Sequence, residues 1–121
     1  VKAEIREAVC PSGPDDAPWN GSGFEIYMEA SDKTFFQYCV RADGKVFQRY
    51  PAEDVVDAAS FKKTATGYKV DVQVPLPSQD SFLIEIRQHI GTSCGMISQN
   101  LFGGRRSGYL KCDLYAQAIV I

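Results

Sequence analysis

Apolar and polar residues alternate one by one in several short runs of this chain. That spacing suits a half-buried β-strand and excludes an amphipathic helix, whose apolar stripe would recur at helical intervals. Val1, Ala3 and Ile5 alternate with Lys2, Glu4 and Arg6, and Phe24, Ile26 and Met28 with Glu25, Tyr27 and Glu29. Phe36, Tyr38 and Val40 stand against Gln37, Cys39 and Arg41, and Phe82, Ile84 and Ile86 against Glu85, Arg87 and His89. Between such runs lie residues that make turns. Ala42-Asp43-Gly44-Lys45 supplies the Asp-Gly turn of a hairpin into KVFQRY, and FKKTATGYKVDVQVPL reads as a second hairpin around Gly67. There Tyr68, Val70, Val72 and Val74 share one face, and Pro75 and Pro77 stop the strand. The stretch PAEDVVDAAS is a loosely patterned link, and Leu114 to Ile121 is a closing apolar strand. Seven or eight short strands with turn signals between them predict an all-β fold, a β-sandwich or jelly roll of mainly antiparallel strands.

The 121 residues make one domain, 1–121, and 45% hydrophobic with 23% charged residues is ordinary globular composition. No apolar run is long enough for a membrane helix, and the first residues lack an apolar signal core, so the chain reads as processed or excised, with no membrane partner. A net charge of -2 with scattered basic residues lacks the stripe that phosphate backbones demand, which excludes nucleic acid. Cys10, Cys39, Cys94 and Cys112 are even in number and widely spaced, without a zinc-type CxxC pair. One or two disulfides are expected, with three full connectivities open; four cysteines also fit a cytosolic protein with buried thiols, so the secreted or extracellular location expected here rests only partly on them.

A sugar ring presents apolar C–H faces and a rim of hydroxyls, so its receptor needs aromatic plates beside groups that donate and accept hydrogen bonds. Trp19, the single Trp, sits in the turn-rich loop CPSGPDDAPWNGSG, where an exposed indole is expected, and Tyr109 sits in GRRSGYLK. Glu25, Gln37, Glu85, Arg87 and His89 fall on strand faces that point away from the core. Trp19 is either a binding plate or a residue packed against a rim. Enzymatic signals are weak: His89 is the only His, and no GxSxG accompanies Ser93. Glu25 and Glu85 as a glycosidase pair would be a chance coincidence of strand glutamates. Met28 and Met96 fit core packing better than haem ligation. The expectation is a protein that is not an enzyme.

The segments PWNGSGFEIYME, FFQYCVRADGKVF and FKKTATGYKVDVQVPL, with weaker matches in GMIS and GYLKCDLYAQAIVI, resemble the family 9 carbohydrate-binding modules and their DOMON-related relatives. The resemblance implies non-catalytic binding of an oligo- or polysaccharide, with a sugar stacked between Trp19 and Tyr109. Glu25, Arg87 and His89 would read its hydroxyls. It further implies a partner role beside other domains of a larger secreted enzyme, and structural calcium, for which Asp15, Asp16 or Asp32 could serve. Two positions depart from the family pattern: Cys39 stands where an Arg is typical, and Tyr109 replaces a second Trp. The chain also starts late relative to the family. These departures motivate the alternative, a structural or protein-interaction sandwich that has lost the pocket.

Overall fold

In a computed structural model of the chain, residues 1–7, 12–51, 56–78, 80–92, 95–104 and 112–119 are described. They form ten strands: β1 (Lys2–Arg6), β2 (Gly23–Glu29), β3 (Phe35–Arg41), β4 (Lys45–Tyr50), β5 (Val56–Asp57), β6 (Ser60–Thr64), β7 (Gly67–Asp71), β8 (Ser81–Thr92), β9 (Gly95–Asn100) and β10 (Ala116–Ile119). All pairings are antiparallel, and two sheets result. One is three-stranded, in the order β1-β7-β6; the other is seven-stranded, in the order β10-β8-β2-β3-β4-β5, with β9 paired to β8. The fold is a β-sandwich. Among the described residues, no helix is long and apolar enough to cross a membrane.

Alternation places the same-face residues of each sheet against the other. Phe24, Ile26 and Met28 of β2, with Tyr38, Val40 and Val46 of β3 and β4, meet Tyr68, Val70 and Val72 in one buried cluster. Each fully buried side chain of this kind stabilises by about 1.5–3 kcal/mol, so this layer holds the sheets together. The Asp43–Gly44 hairpin forms as read from the sequence, with Val40 opposite Val46 and the Gly44 N–H donating to the Arg41 carbonyl. Gly44 has φ of +89°, a conformation that L-residues avoid, and a Cβ there would sit 2.8 Å from the Phe61 ring. The Gly67 hairpin likewise pairs β6 with β7.

Several expectations need correction. Among the described residues strands number ten rather than seven or eight, because PAEDVVDAAS contributes β5 and GMISQN forms β9. β7 ends at Asp71, ahead of the two prolines, and the closing strand starts at Ala116 after a short 3₁₀ turn, Cys112–Leu114. Cys39 and Cys112 are free thiols, so none of the three full disulfide connectivities forms. Cys10, Cys94 and Ser93 lie outside the described residues.

The long strand β8 sets up the site. One of its edges pairs with β2 over residues 83–89, while the other is shared: β10 takes residues 81–84 and β9 takes residues 87–92. Glu85 lies between the two partners, fully buried, and accepts hydrogen bonds from the N–H groups of Ile86 (2.9 Å), Phe102 (3.0 Å) and Gly103 (2.7 Å). It holds the chain that leaves β9.

Candidate functional site

The period that sends Phe24 and Ile26 into the sandwich sends Glu25, Tyr27, Gln37, Cys39, Arg41, Glu85, Arg87 and His89 to the opposite face of the large sheet. Register then decides which of these meet. Glu25 lies between Cys39 and Arg87, Tyr27 between Gln37 and Glu85, and Gly23 brings His89 alongside. Sequence reasoning placed these residues away from the core, which holds, yet the face is covered. Glu25, Gln37 and His89 are buried at 4%, 4% and 6% exposure, and Arg87 is half-buried.

Glu25 is the hub. Its Oε1 accepts from Gln37 Nε2 at 2.6 Å, and its Oε2 accepts from the Tyr27 hydroxyl at 2.7 Å and from His89 Nε2 at 2.8 Å. Because the carboxylate only accepts, Nε2 of His89 carries a hydrogen, and Nδ1 faces the Ser98 hydroxyl at 2.8 Å. Burial pushes the Glu25 carboxyl up, but the His89 hydrogen bond, followed by that from Tyr27, brings it below the usual carboxylate range. The Tyr27 hydroxyl moves far upward, through burial first and the Glu25 charge second. Glu25 is therefore a fixed anion and Tyr27 a fixed donor. The Tyr27 ring continues an aromatic row, 6.2 Å from Tyr115 and 6.3 Å from Phe35.

Above this network is a cavity of about 530 Å³, lined by Glu25, Tyr27, Gln37, Arg87 and His89 on its floor and by Trp19, Asn20, Arg49, Met96 and Ser98 at its sides. Trp19 belongs to a 3₁₀ turn, Pro18–Asn20, and is half-buried rather than exposed as expected, with the Arg49 guanidinium 4.3 Å above its ring. Its loop is tied down by buried Arg41, which donates to Asp43 (3.1 and 2.8 Å), to Asp15 (2.6 Å) and to the Gly13 carbonyl (2.9 Å).

Comparison with protein-family models, with curated proteins and with solved structures finds no match. Geometry alone therefore has to speak for the site. Of the five residues expected to bind, Trp19, Glu25, Arg87 and His89 come together around one cavity; Tyr109 lies outside the described residues. Gln37 joins them as its face implied. Tyr27, Arg49 and Ser98 were missed as site residues: Tyr27 shares the alternation of Glu25, whereas Arg49 and Ser98 reach the site only through strand pairing.

Other expectations separate. Glu85 is spent on backbone N–H groups and does not line the cavity, so it forms no pair with Glu25 across a cleft. Met28 is buried between the sheets, while Met96 is exposed on the other face, so the two cannot flank one haem. Asp15 is engaged by Arg41, and Asp32 accepts from the Thr34 N–H of its own turn at 3.0 Å. Among the described residues, no three His, Cys, Asp or Glu side chains are placed to share a metal.

Two atoms of the cavity residues lack a hydrogen-bond partner although buried: Gln37 Oε1, an acceptor, and Arg87 Nε, a donor. The Gln37 amide is oriented by chemistry, since only its NH₂ can donate to the Glu25 carboxylate. Unfilled polar atoms are costly in an interior, about 1–3 kcal/mol each.

Proposed function

We propose that this cavity binds a carbohydrate without transforming it. The reading is carried by the pairing of an unfilled acceptor, Gln37 Oε1, with an unfilled donor, Arg87 Nε, beside the indole of Trp19 in one cavity. A sugar hydroxyl donates and accepts at once, so neighbouring hydroxyls would fill both positions while a C–H face rests on the ring. Glu25 and His89 hold Gln37 and Tyr27 in place, an arrangement that keeps specificity high because little side-chain order is lost on binding. The volume falls within the range of small-molecule sites. In this reading the domain is a secreted module that brings an attached enzyme to its polysaccharide.

The test is a titration of Trp19 fluorescence with a panel of mono- and oligosaccharides, repeated on Gln37→Ala with folding checked by circular dichroism. A saturable shift that weakens in Gln37→Ala supports the site; silence across the panel from a folded protein overturns it. The Arg49 guanidinium over the Trp19 ring favours a second reading, in which the indole is a packing element of a structural or interaction domain. Trp19→Ala discriminates: removing a plate abolishes sugar binding while the fold is kept, whereas removing a packing element loosens the fold.

A further inference from the structure

Two guanidinium groups face one cavity, and Glu25 on its floor is the one acid among its described lining residues. Elsewhere four basic side chains meet acids: Arg41 meets Asp15 and Asp43, Lys33 meets Glu29, Lys2 meets Asp71 and Lys69 meets Glu4, while exposed residues such as Lys45 and Lys62 make no ion pair among the described residues. Arg49 and Arg87 both line the cavity, and among the described residues neither makes an ion pair. Arg87 is the cross-strand neighbour of Glu25, yet the oxygens of Glu25 go to Tyr27, Gln37 and His89. Arg49 is held by aromatic rings, 4.3 Å from Trp19 and 5.7 Å from Tyr50. A chain of net charge -2 thus presents two guanidinium groups to a cavity whose lining carboxylate, Glu25, is hydrogen-bonded to other partners.

Position adds to charge. A second cavity, of about 470 Å³, is lined by Ile97, Ser98, Gln99, Asn100 and Gly104, and it shares Arg87 and Ser98 with the first. Arg87 therefore stands where two adjoining cavities meet, with its Nε buried and unfilled. A guanidinium presents paired donors in a plane, the geometry that a carboxylate accepts in two parallel bonds.

We infer that the ligand is an acidic oligosaccharide, one of whose sugar carboxylates is received by Arg87 between the two cavities, with Arg49 adding a second positive charge at the Trp19 side. The inference rests on the carbohydrate reading and names its ligand class. Neutral hydroxyls would satisfy Arg87 Nε but bring no counter-charge; a carboxylate brings both an acceptor and a negative charge. The shared cavity wall requires more than one ring, so a monosaccharide acid binds more weakly than its oligomer.

The experiment is calorimetric titration of the whole chain with oligomers of galacturonate, of mannuronate and guluronate, and of glucuronate alternating with N-acetylhexosamine. Each is paired with its carboxyl-reduced, neutral counterpart, and a sulfated galactan oligomer is the charge control. Binding of one acidic oligomer that weakens about tenfold or more in its reduced form, in Arg87→Gln and at raised salt supports the inference. Arg49→Gln, at an exposed position that carries little of the fold, is expected to weaken the same titration by a smaller factor. Equal binding of the acidic and reduced forms overturns the acidic ligand while leaving carbohydrate binding intact. Tighter binding of the sulfated oligomer overturns the carboxylate. Silence from every acidic and neutral sugar, by a protein shown to be folded, overturns both readings.

Discussion

Replacing Arg41 with Ala tests whether the site's wall is held from behind. The Arg41 side chain is 7% exposed, whereas those of Asp15 and Asp43 are 72% and 43% exposed, so the two ion pairs are screened and stabilise by at most about 1 kcal/mol each. The larger loss is at the Gly13 carbonyl, buried with a charged donor at 2.9 Å, where about 1.5–3 kcal/mol is at stake. The guanidinium also lies 5.1 Å from the Phe47 ring centre, an attraction of about 0.5–1 kcal/mol. These contributions share one geometry and do not add in full, so Arg41→Ala is expected to cost about 3 kcal/mol. Urea unfolding followed by circular dichroism reads that cost. The emission of Trp19 reads the loop separately: in Arg41→Ala the native spectrum shifts toward that of a solvated indole before the sheets melt. Arg41→Lys, with a single ammonium, recovers one partner and only part of the stability. A loss below about 1 kcal/mol, or a native Trp19 spectrum identical to the parent, would refute the claim that Arg41 holds the loop.

Further outcomes follow from the same structure. Glu25, held below the usual carboxylate range when folded, adds stability that is present above its unfolded pKa and lost as pH falls through the folded one. Glu25→Gln should therefore destabilise at pH 7 and cost progressively less as pH falls below the usual carboxylate range, read as urea midpoints across that window. Glu85→Ala deprives the Phe102 and Gly103 N–H groups of their acceptor, and hydrogen exchange there should accelerate well ahead of exchange in β2. In Gly67→Ala the new Cβ meets the Ile5 carbonyl oxygen at φ of +156°, so the β1–β7 pairing is lost at more than about 2 kcal/mol, visible in the thermal melt. Burial pushes the Cys39 thiol well up, and burial followed by the Glu29 hydrogen bond pushes Cys112 to about 11. Mass-mapped alkylation at pH 8 should label half-buried Cys112 slowly and Cys39 only on unfolding; rapid labelling of Cys39 would contradict its place under the polar face.

Alternation made the strands legible because it is local: Phe24, Ile26 and Met28 show their inward face without reference to any partner, and Asp43–Gly44 carries its own turn chemistry. The same logic placed Glu25, Gln37, Arg87 and His89 on one face. What alternation cannot show is what lies over that face, so the burial of Glu25 and the stacking of Arg49 on Trp19 were hidden. β9 escaped notice because Met96 to Gln99 are all exposed, leaving no inward set to betray a strand; pairing with β8 alone makes it one. Arg41 read as an ordinary outward strand residue, since Gly13 and Asp15 reach it only through the folded loop.

The pairing of β2 with β8 has a kinetic consequence. Glu25 and His89 are 64 residues apart in the chain, so their hydrogen bond waits on a non-local closure, whereas the Asp43–Gly44 and Gly67 hairpins can close early. Chains dominated by such distant pairings fold slowly, on the scale of about milliseconds to seconds. The cavity floor therefore cannot assemble in any partly folded species that lacks this closure. During refolding, ligand capture should be the last property regained, a clock for completion rather than for collapse.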